Sequence, residues 1–286
     1  MPRVILGTAS FASGYGISNP KSEADHKRAQ KLIIAAQQLG ITDFDTAPVY
    51  GIAEELLGKH LDKNRPNRVS TKLSAYDCGS LDLIEESIKK SLERLQIDQI
   101  EILYLHDENV LFESKNTNLL QNLQHLKQVG YFTKLGISVY TLESLQNVHL
   151  KFPEIEVYQV PENICDRRIS DSEFVKQICT SGSEIIVRSI FMQGLLLMDP
   201  LDIQGPLIDA IPSINSLIAF SAQNEMSRME MCLAYAKSLH WCSGIILGVY
   251  DSQQLVDLVS ADRSLPIGWE QLIEKLPINC LDPRRW

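Results

Sequence analysis

The chain has 286 residues, of which 44% are hydrophobic and 22% are charged, proportions that are typical of a folded globular protein and not of a disordered one. Its 27 basic and 36 acidic residues give a net charge of −9, which disfavours nucleic acid and anionic membrane surfaces as partners. No segment approaches the roughly 18 consecutive apolar residues that a membrane-spanning helix needs.

Short strand-like segments alternate with amphipathic helical segments along the whole chain. The predicted strands are Val4–Ala9, Ile41–Asp45, Arg68–Leu73, Ile100–His106, Thr133–Ser138, Ile155–Val160, Ile185–Ile190 and Gly244–Gly248. The predicted helices are Ala24–Leu39, Ala53–Leu61, Leu81–Leu95, Leu119–Val129, Leu142–Leu150, Asp171–Thr180, Met226–Leu239, Asp251–Val259 and a short one at Trp269–Lys275. The stretch Gln193–Gln223 is less regular, and we expect Pro200–Pro212 to be an inserted loop with a short helix.

Eight strand–helix units in succession predict a parallel sheet with crossover helices, and their number favours closure into an α/β (β/α)₈ TIM barrel. Such a barrel uses about 250 residues, so residues 1–286 are expected to form a single domain. The alternative is an open, doubly wound sheet. That fold usually carries a G-x-G-x-x-G turn after its first strand, and the segment from Gly7 to Gly14 lacks this pattern.

Titratable residues lie at or just after the ends of three consecutive predicted strands: Asp45, Tyr50, Lys72 and His106. Each alone has a structural explanation, such as a helix cap, a surface charge or a core histidine. Together they suit hydride transfer to a carbonyl, because the resulting alkoxide needs a proton. A tyrosine can supply it when a lysine, oriented by a carboxylate, lowers the phenol pKa, and a histidine can polarise the carbonyl.

The segment from Phe44 to Gly51, followed by Glu54 to Gly58, resembles the active-site signature of the aldo-keto reductases. Thr71-Lys72 and Tyr104-Leu105-His106 are similar to the family's lysine and histidine segments. The resemblance runs from Leu6 to Gly248. It implies a nicotinamide-dependent oxidoreductase that reduces an aldehyde or ketone, with sugar-derived carbonyls among the candidates. It also implies that Asp45, Tyr50, Lys72 and His106 are catalytic and that Tyr50 is the proton donor.

The resemblance further implies a set of cofactor-binding residues. These are Ser138, Gln159, Asn163, Arg188, Ser189, Gln193, Gly194, Gly248 and Ser252. Two positions differ from the family pattern, because Val139 replaces an asparagine and the segment at Arg188 lacks a tyrosine that often stacks there. The segment from Gly248 to Leu258 contains no Lys or Arg for an adenosine 2′-phosphate. NADP(H) is the cofactor expected from the family, with NAD(H) as the alternative and only modest discrimination between them.

Two functional alternatives stay open at this point. One is a catalytically weak family member that serves as a binding or regulatory subunit, and the other is an unrelated barrel chemistry such as a lyase or isomerase. No His, Cys or carboxylate cluster has metal-ligand spacing. The six scattered cysteines and an N-terminus without a signal-peptide pattern predict free thiols in a cytoplasmic protein. The expected partner is a small-molecule carbonyl substrate, and the sequence carries no signal for an oligomeric state.

Overall fold

Eight parallel strands close into a barrel in the computed structural model, which describes residues 1–12, 26–260 and 263–286. The strands follow one another around the barrel in chain order, and β8 pairs with β1. They are β1 (Arg3–Gly7), β2 (Asp43–Asp45), β3 (Arg68–Leu73), β4 (Ile100–Leu105), β5 (Phe132–Ser138), β6 (Val157–Pro161), β7 (Glu184–Arg188) and β8 (Gly244–Leu247). The predicted TIM barrel is confirmed, and the open-sheet alternative is wrong.

Ten helices lie between and after the strands in the described residues, and all except the short α10 contain buried residues. They are α1 (His26–Gln38), α2 (Ala53–His60), α3 (Leu81–Leu95), α4 (Leu119–Val129), α5 (Leu142–Lys151), α6 (Phe174–Thr180), α7 (Ile211–Gln223), α8 (Arg228–Ser238), α9 (Ser252–Ser260) and α10 (Trp269–Leu272). The predicted start of the first helix, Ala24, lies outside the described residues. In α3 the buried positions are Ile84, Ile88, Ser91 and Leu95, a spacing that places them on one helical face.

The stretch before α8 differs from the sequence-based expectation, because Ile211–Gln223 is a regular α-helix of 13 residues. Its buried face contains Ile214, Leu217 and Phe220, but two serines share that face and blur the apolar period. Pro212 lies in the first turn, where a missing N–H costs no helical hydrogen bond. At β7 the strand ends two residues earlier than predicted, because Ser189 turns to a φ of 63°.

The barrel interior is filled by apolar side chains and sealed at the N-terminal ends of the strands. Ile5, Ile102, Tyr104, Val157 and Ile186 form the inner cluster. Tyr104 fits because its β5 neighbour is Gly136, where an added Cβ would lie 2.5 Å from the Tyr104 ring. The interior is therefore a packed core, and only the C-terminal ends of the strands are available for a site.

Charged residues close the N-terminal end of the barrel as a network. Arg3 pairs with Asp43 at 3.1 Å and with Glu184 at 3.2 Å, and Arg68 pairs with Asp43 at 2.6 Å. Lys134 adds a 2.5 Å contact to Glu184. These residues lie on strands β1, β2, β3, β5 and β7, so the network ties the ends of distant strands together across this end of the barrel.

Three general features complete the description of the fold. All six cysteines lie in the described part of the chain, and none of them is in a disulfide bond. Within residues 1–12, 26–260 and 263–286, no helix combines the length and apolar character required to cross a membrane. The same residues contain no group of three or more His, Cys, Asp or Glu side chains placed to hold a metal ion.

Candidate active site

A cavity of about 760 Å³ opens at the C-terminal ends of the strands, within the range of roughly 300–1,000 Å³ common for small-molecule and cofactor sites. All four predicted catalytic residues line it. Segments that follow β7 and β8 supply much of the remaining wall, together with Ser227, Arg228 and Met229. The barrel topology brings these residues together because parallel strands end on the same face.

Asp45 and Lys72 form a buried ion pair in the cavity wall. Lys72 Nζ lies 2.6 Å from Asp45 Oδ1 and donates a second hydrogen bond of 2.9 Å to the carbonyl oxygen of Thr46. The other carboxylate oxygen accepts a 2.8 Å hydrogen bond from Gln159 Nε2. The two charged residues are only 5% and 3% exposed. The ammonium group is therefore held in a fixed position by its neighbours.

Tyr50 and His106 lie next to this pair. Lys72 Nζ is 5.2 Å from the centre of the Tyr50 ring. The rings of Tyr50 and His106 meet edge to face, with centroids 6.4 Å apart. The loop after β2 and the end of β4 thus bring the phenol and the imidazole to the same part of the cavity.

The titration of these groups differs from the sequence-based expectation. Burial, followed by the charge of Asp45, raises the pKa of Tyr50 above its ordinary value, while Arg188 acts in the opposite direction. The expectation that Lys72 lowers this pKa is not met, because the carboxylate of Asp45, 2.6 Å from the ammonium group, acts to raise it. Burial and then the charge of Lys72 lower the pKa of His106 to about 4. At neutral pH, Tyr50 is a phenol and His106 is uncharged.

Seven of the nine predicted cofactor residues line the cavity: Ser138, Gln159, Arg188, Ser189, Gln193, Gly194 and Gly248. Asn163 and Ser252 do not. Asn163 is fully buried, and its Oδ1 accepts hydrogen bonds from the backbone N–H groups of Cys165 and Asp166, which shapes the loop after β6. Ser252 is the first residue of α9. Both stay predictions as cofactor contacts, without geometric support.

The loop after β7 has an unusual backbone. Ser189, Met192 and Gln193 have φ values of 63°, 49° and 52°, and Gly194 follows at 96°. Left-handed conformations of non-glycine residues cost roughly 1–3 kcal/mol each and tend to be kept at ligand-binding sites. This strained loop borders the cavity, which fits a segment that shapes a binding surface.

Arg228, at the start of α8, holds the chain that follows this loop. Its guanidinium donates hydrogen bonds of 3.0, 2.8 and 2.7 Å to the carbonyl oxygens of Leu196, Leu197 and Met198. Sequence analysis did not predict this role. The available signal was the capping box of Ser227 and Glu230, which fixes where α8 begins and hence where Arg228 lies.

A cationic side chain also reaches the segment after β8, which contains none of its own. The Arg28 guanidinium lies 4.2 Å from the centre of the Tyr250 ring. It donates hydrogen bonds to the carbonyl oxygens of Tyr250, at 2.5 Å, and Ser10, at 2.6 Å. The segment itself contains no Lys or Arg, and α1 supplies this cation from more than 200 positions away in the chain.

Comparison with known proteins gives a consistent result. Residues 3–267 match the profile of the Aldo/keto reductase family. The chain is 29% identical over 286 residues to L-galactose dehydrogenase of Arabidopsis thaliana, covering 93% of this chain and 86% of that protein. It is 25% identical to L-glyceraldehyde 3-phosphate reductase of Escherichia coli K12, over 84% and 80% of the two chains. The holo form of aldo-keto reductase AKR11C1 from Bacillus halodurans has a similar fold, with a TM-score of 0.76, 23% identity and coverage of 99% and 94%.

Proposed function

The chain belongs to the aldo/keto reductase family, and we propose that it reduces an aldehyde or ketone to an alcohol with NADP(H), or NAD(H), as cofactor and Tyr50 as proton donor. The observation that carries this proposal is the grouping of Asp45, Lys72, Tyr50 and His106 in one cavity wall. Relatives named for L-galactose and L-glyceraldehyde 3-phosphate make sugar-derived carbonyls the first substrates to test.

The residues of the site can divide the proton chemistry among them. When bound, the nicotinamide cofactor supplies the hydride, and negative charge develops on the carbonyl oxygen. Tyr50, which is protonated at neutral pH, donates its proton to that oxygen. Lys72 is held by Asp45 beside the tyrosine and stabilises the phenolate that remains. His106 is uncharged and can donate one N–H hydrogen bond to the same oxygen, which polarises the carbonyl before transfer.

The cavity has the donor groups and the space that a nicotinamide cofactor requires. The side chains of Ser138 and Gln159 offer a hydroxyl and an amide, which are suitable partners for a carboxamide, although Gln159 also binds Asp45. The backbone at Gly248 borders open space, because an added Cβ would meet no atom within 4 Å. The strained loop at Ser189, Gln193 and Gly194 completes the proposed cofactor surface.

The arrangement also weighs against the non-catalytic alternative. That alternative rested on the missing basic residue in the segment from Gly248 to Leu258. Arg28 places a guanidinium against Tyr250 in that segment, so the missing cation no longer argues for impaired cofactor binding.

A conservative substitution tests the proposed donor. We expect Tyr50→Phe to bind NADPH and NADH with the same dissociation constants as the unmodified protein, measured by tryptophan fluorescence. Its turnover should fall at least about a hundredfold, the scale of general acid catalysis. Tyr76→Phe is the matched control, because Tyr76 is 94% exposed and does not line the cavity, and it should retain full turnover. Near-normal turnover of Tyr50→Phe would show that another group donates the proton.

A further inference from the structure

The charges in the cavity wall beside the catalytic residues do not cancel. Asp45 and Lys72 neutralise each other at 2.6 Å. Arg188 also lines the cavity, and it donates hydrogen bonds to Ser189 Oγ, at 3.1 Å, and to the Val139 carbonyl oxygen, at 3.2 Å. Neither acceptor is charged, and among the described residues no carboxylate lies within ion-pair distance of this guanidinium. A partly buried cation without a counter-charge is costly unless a ligand supplies one.

An aromatic ring holds the Arg188 side chain in place. Its guanidinium carbon lies 4.3 Å from the centre of the Tyr140 ring, and Tyr140 also lines the cavity. A guanidinium has five N–H donors in a rigid plane, and only two hydrogen bonds occupy them. A stacked guanidinium with unused donors is suited to bind a carboxylate or phosphate with little loss of side-chain freedom.

The same ring provides a built-in comparison. Arg284, from the C-terminal segment, stacks on Tyr140 at 3.9 Å. It is neutralised by Asp282, which accepts hydrogen bonds of 2.9 and 2.8 Å from its guanidinium, and it does not line the cavity. Two arginines thus contact Tyr140, and only Arg188 is both unneutralised and accessible from the cavity.

Arg188 lines the same cavity as the reacting groups Tyr50 and His106. Burial is the main cause of the altered pKa values of Tyr50 and His106, and the charge of Arg188 acts to lower both. A substrate held in this cavity with its carbonyl oxygen between Tyr50 and His106 can therefore present a second group to Arg188.

We propose that Arg188 binds an anionic group of the substrate, a carboxylate or phosphate a few atoms away from the carbonyl, and so selects anionic over neutral carbonyl compounds. This rests on the proposed function and adds a substrate class to it. A bidentate, charge-assisted hydrogen bond should raise kcat/KM for the anionic substrate by about tenfold to a hundredfold relative to the neutral one.

Matched substrate pairs test this directly. Succinic semialdehyde and butanal differ by one carboxylate, and glyceraldehyde 3-phosphate and glyceraldehyde differ by one phosphate. We expect kcat/KM of the unmodified enzyme to favour the anionic member of at least one pair by tenfold or more, and the pair affected identifies the anion. Arg188→Gln should abolish this preference, Arg188→Lys should retain part of it, and Arg284→Gln should leave it intact.

The other source of an anion is the cofactor's pyrophosphate, and the same variants separate the two. If Arg188→Gln weakens NADPH and NADH binding tenfold or more and slows anionic and neutral aldehydes equally, Arg188 is a cofactor contact and the proposal is wrong. The proposal is also wrong if the active, unmodified enzyme shows no preference in either pair.

An equilibrium measurement keeps the inference testable if the proposed reaction fails. If none of the four aldehydes is reduced, the proposed function fails, but binding of succinate, which cannot react, still reports on the anion site. Calorimetric titration should show succinate binding that Arg188→Gln weakens at least tenfold and Arg284→Gln does not. Equal binding by both variants, or no binding by the unmodified protein, would overturn the assignment.

Discussion

The buried pair of Asp45 and Lys72 allows stability and catalysis to be separated by mutation. Lys72→Met removes the cation and leaves the Asp45 carboxylate only 5% exposed, with the 2.8 Å hydrogen bond from Gln159 as its remaining side-chain partner. Removing one partner of a buried ion pair typically costs about 3–5 kcal/mol, because an uncompensated charge stays in the interior. We expect Lys72→Met to lose stability on this scale and to lose at least about a hundredfold in turnover.

Adding Asp45→Asn to Lys72→Met should restore part of the lost stability but none of the lost turnover. The asparagine carries no charge and can still accept the hydrogen bond from Gln159, so the double variant should recover about 2 kcal/mol or more of stability. It should remain as inactive as Lys72→Met, because the ammonium group that stabilises the phenolate is still missing. Losses in kcat from groups that act as one unit are not additive.

Urea unfolding and turnover at saturating cofactor and substrate measure the two effects. Lys127→Met is the matched control, because Lys127 pairs with Glu156 at a partly exposed site. Pairs of this kind contribute about 0–1 kcal/mol, and turnover should be unchanged. The reasoning is refuted if the double variant is as unstable as Lys72→Met, or if its turnover rises well above that of the single variant.

Two more predictions concern pH and cofactor choice. Glu162 is fully buried and accepts a 2.5 Å hydrogen bond from Tyr235, and burial raises its pKa to about 8 from 4.5. The stabilisation that this raised pKa gives the folded protein is therefore fully present below about pH 4.5 and is lost as the pH rises towards 8. In this window the free energy of unfolding should fall by up to about 1.4 kcal/mol per pH unit. Glu162→Gln should remove this slope in urea unfolding, and an unchanged slope would contradict the assignment. In a fluorescence titration, we expect the protein to bind NADPH less than about a hundredfold more tightly than NADH. Arg28→Gln should bring the two dissociation constants closer together. An equal change in both dissociation constants would assign Arg28 a purely structural role.

The grouping of the four candidate catalytic residues could be predicted from the sequence because chain order in a barrel determines which strand ends are neighbours. Asp45 ends β2, Lys72 is the penultimate residue of β3, and His106 directly follows β4. Neighbouring parallel strands end on one face, so three local patterns were enough to bring three side chains together. The position of Tyr50 beside them could be predicted because it lies in the short turn after β2.

The residues that were missed come from elements whose position depends on packing. Arg28 lies on α1 and Arg228 on α8, and neither is near a strand end in sequence. Asn163 is the opposite case, because it lies at a suitable place after β6 but its side chain binds its own loop and the loop after β7. A local pattern locates a backbone position, and tertiary packing decides where the side chain and its hydrogen bonds go.

The balance of charge around Tyr50 links the proposed substrate class to the direction of the reaction. The charge of Arg188 lowers the pKa of Tyr50, against the larger effects of burial and of the Asp45 carboxylate. A substrate anion bound to Arg188 would neutralise this cation and raise the pKa of the phenol further. Tyr50 would then hold its proton more firmly when the anionic substrate is bound. In the proposed mechanism reduction uses the protonated tyrosine and oxidation of the alcohol uses the phenolate. Because Tyr50 is already protonated at neutral pH, anion binding at Arg188 would leave the form used in reduction unchanged and would lower the fraction of phenolate available for oxidation.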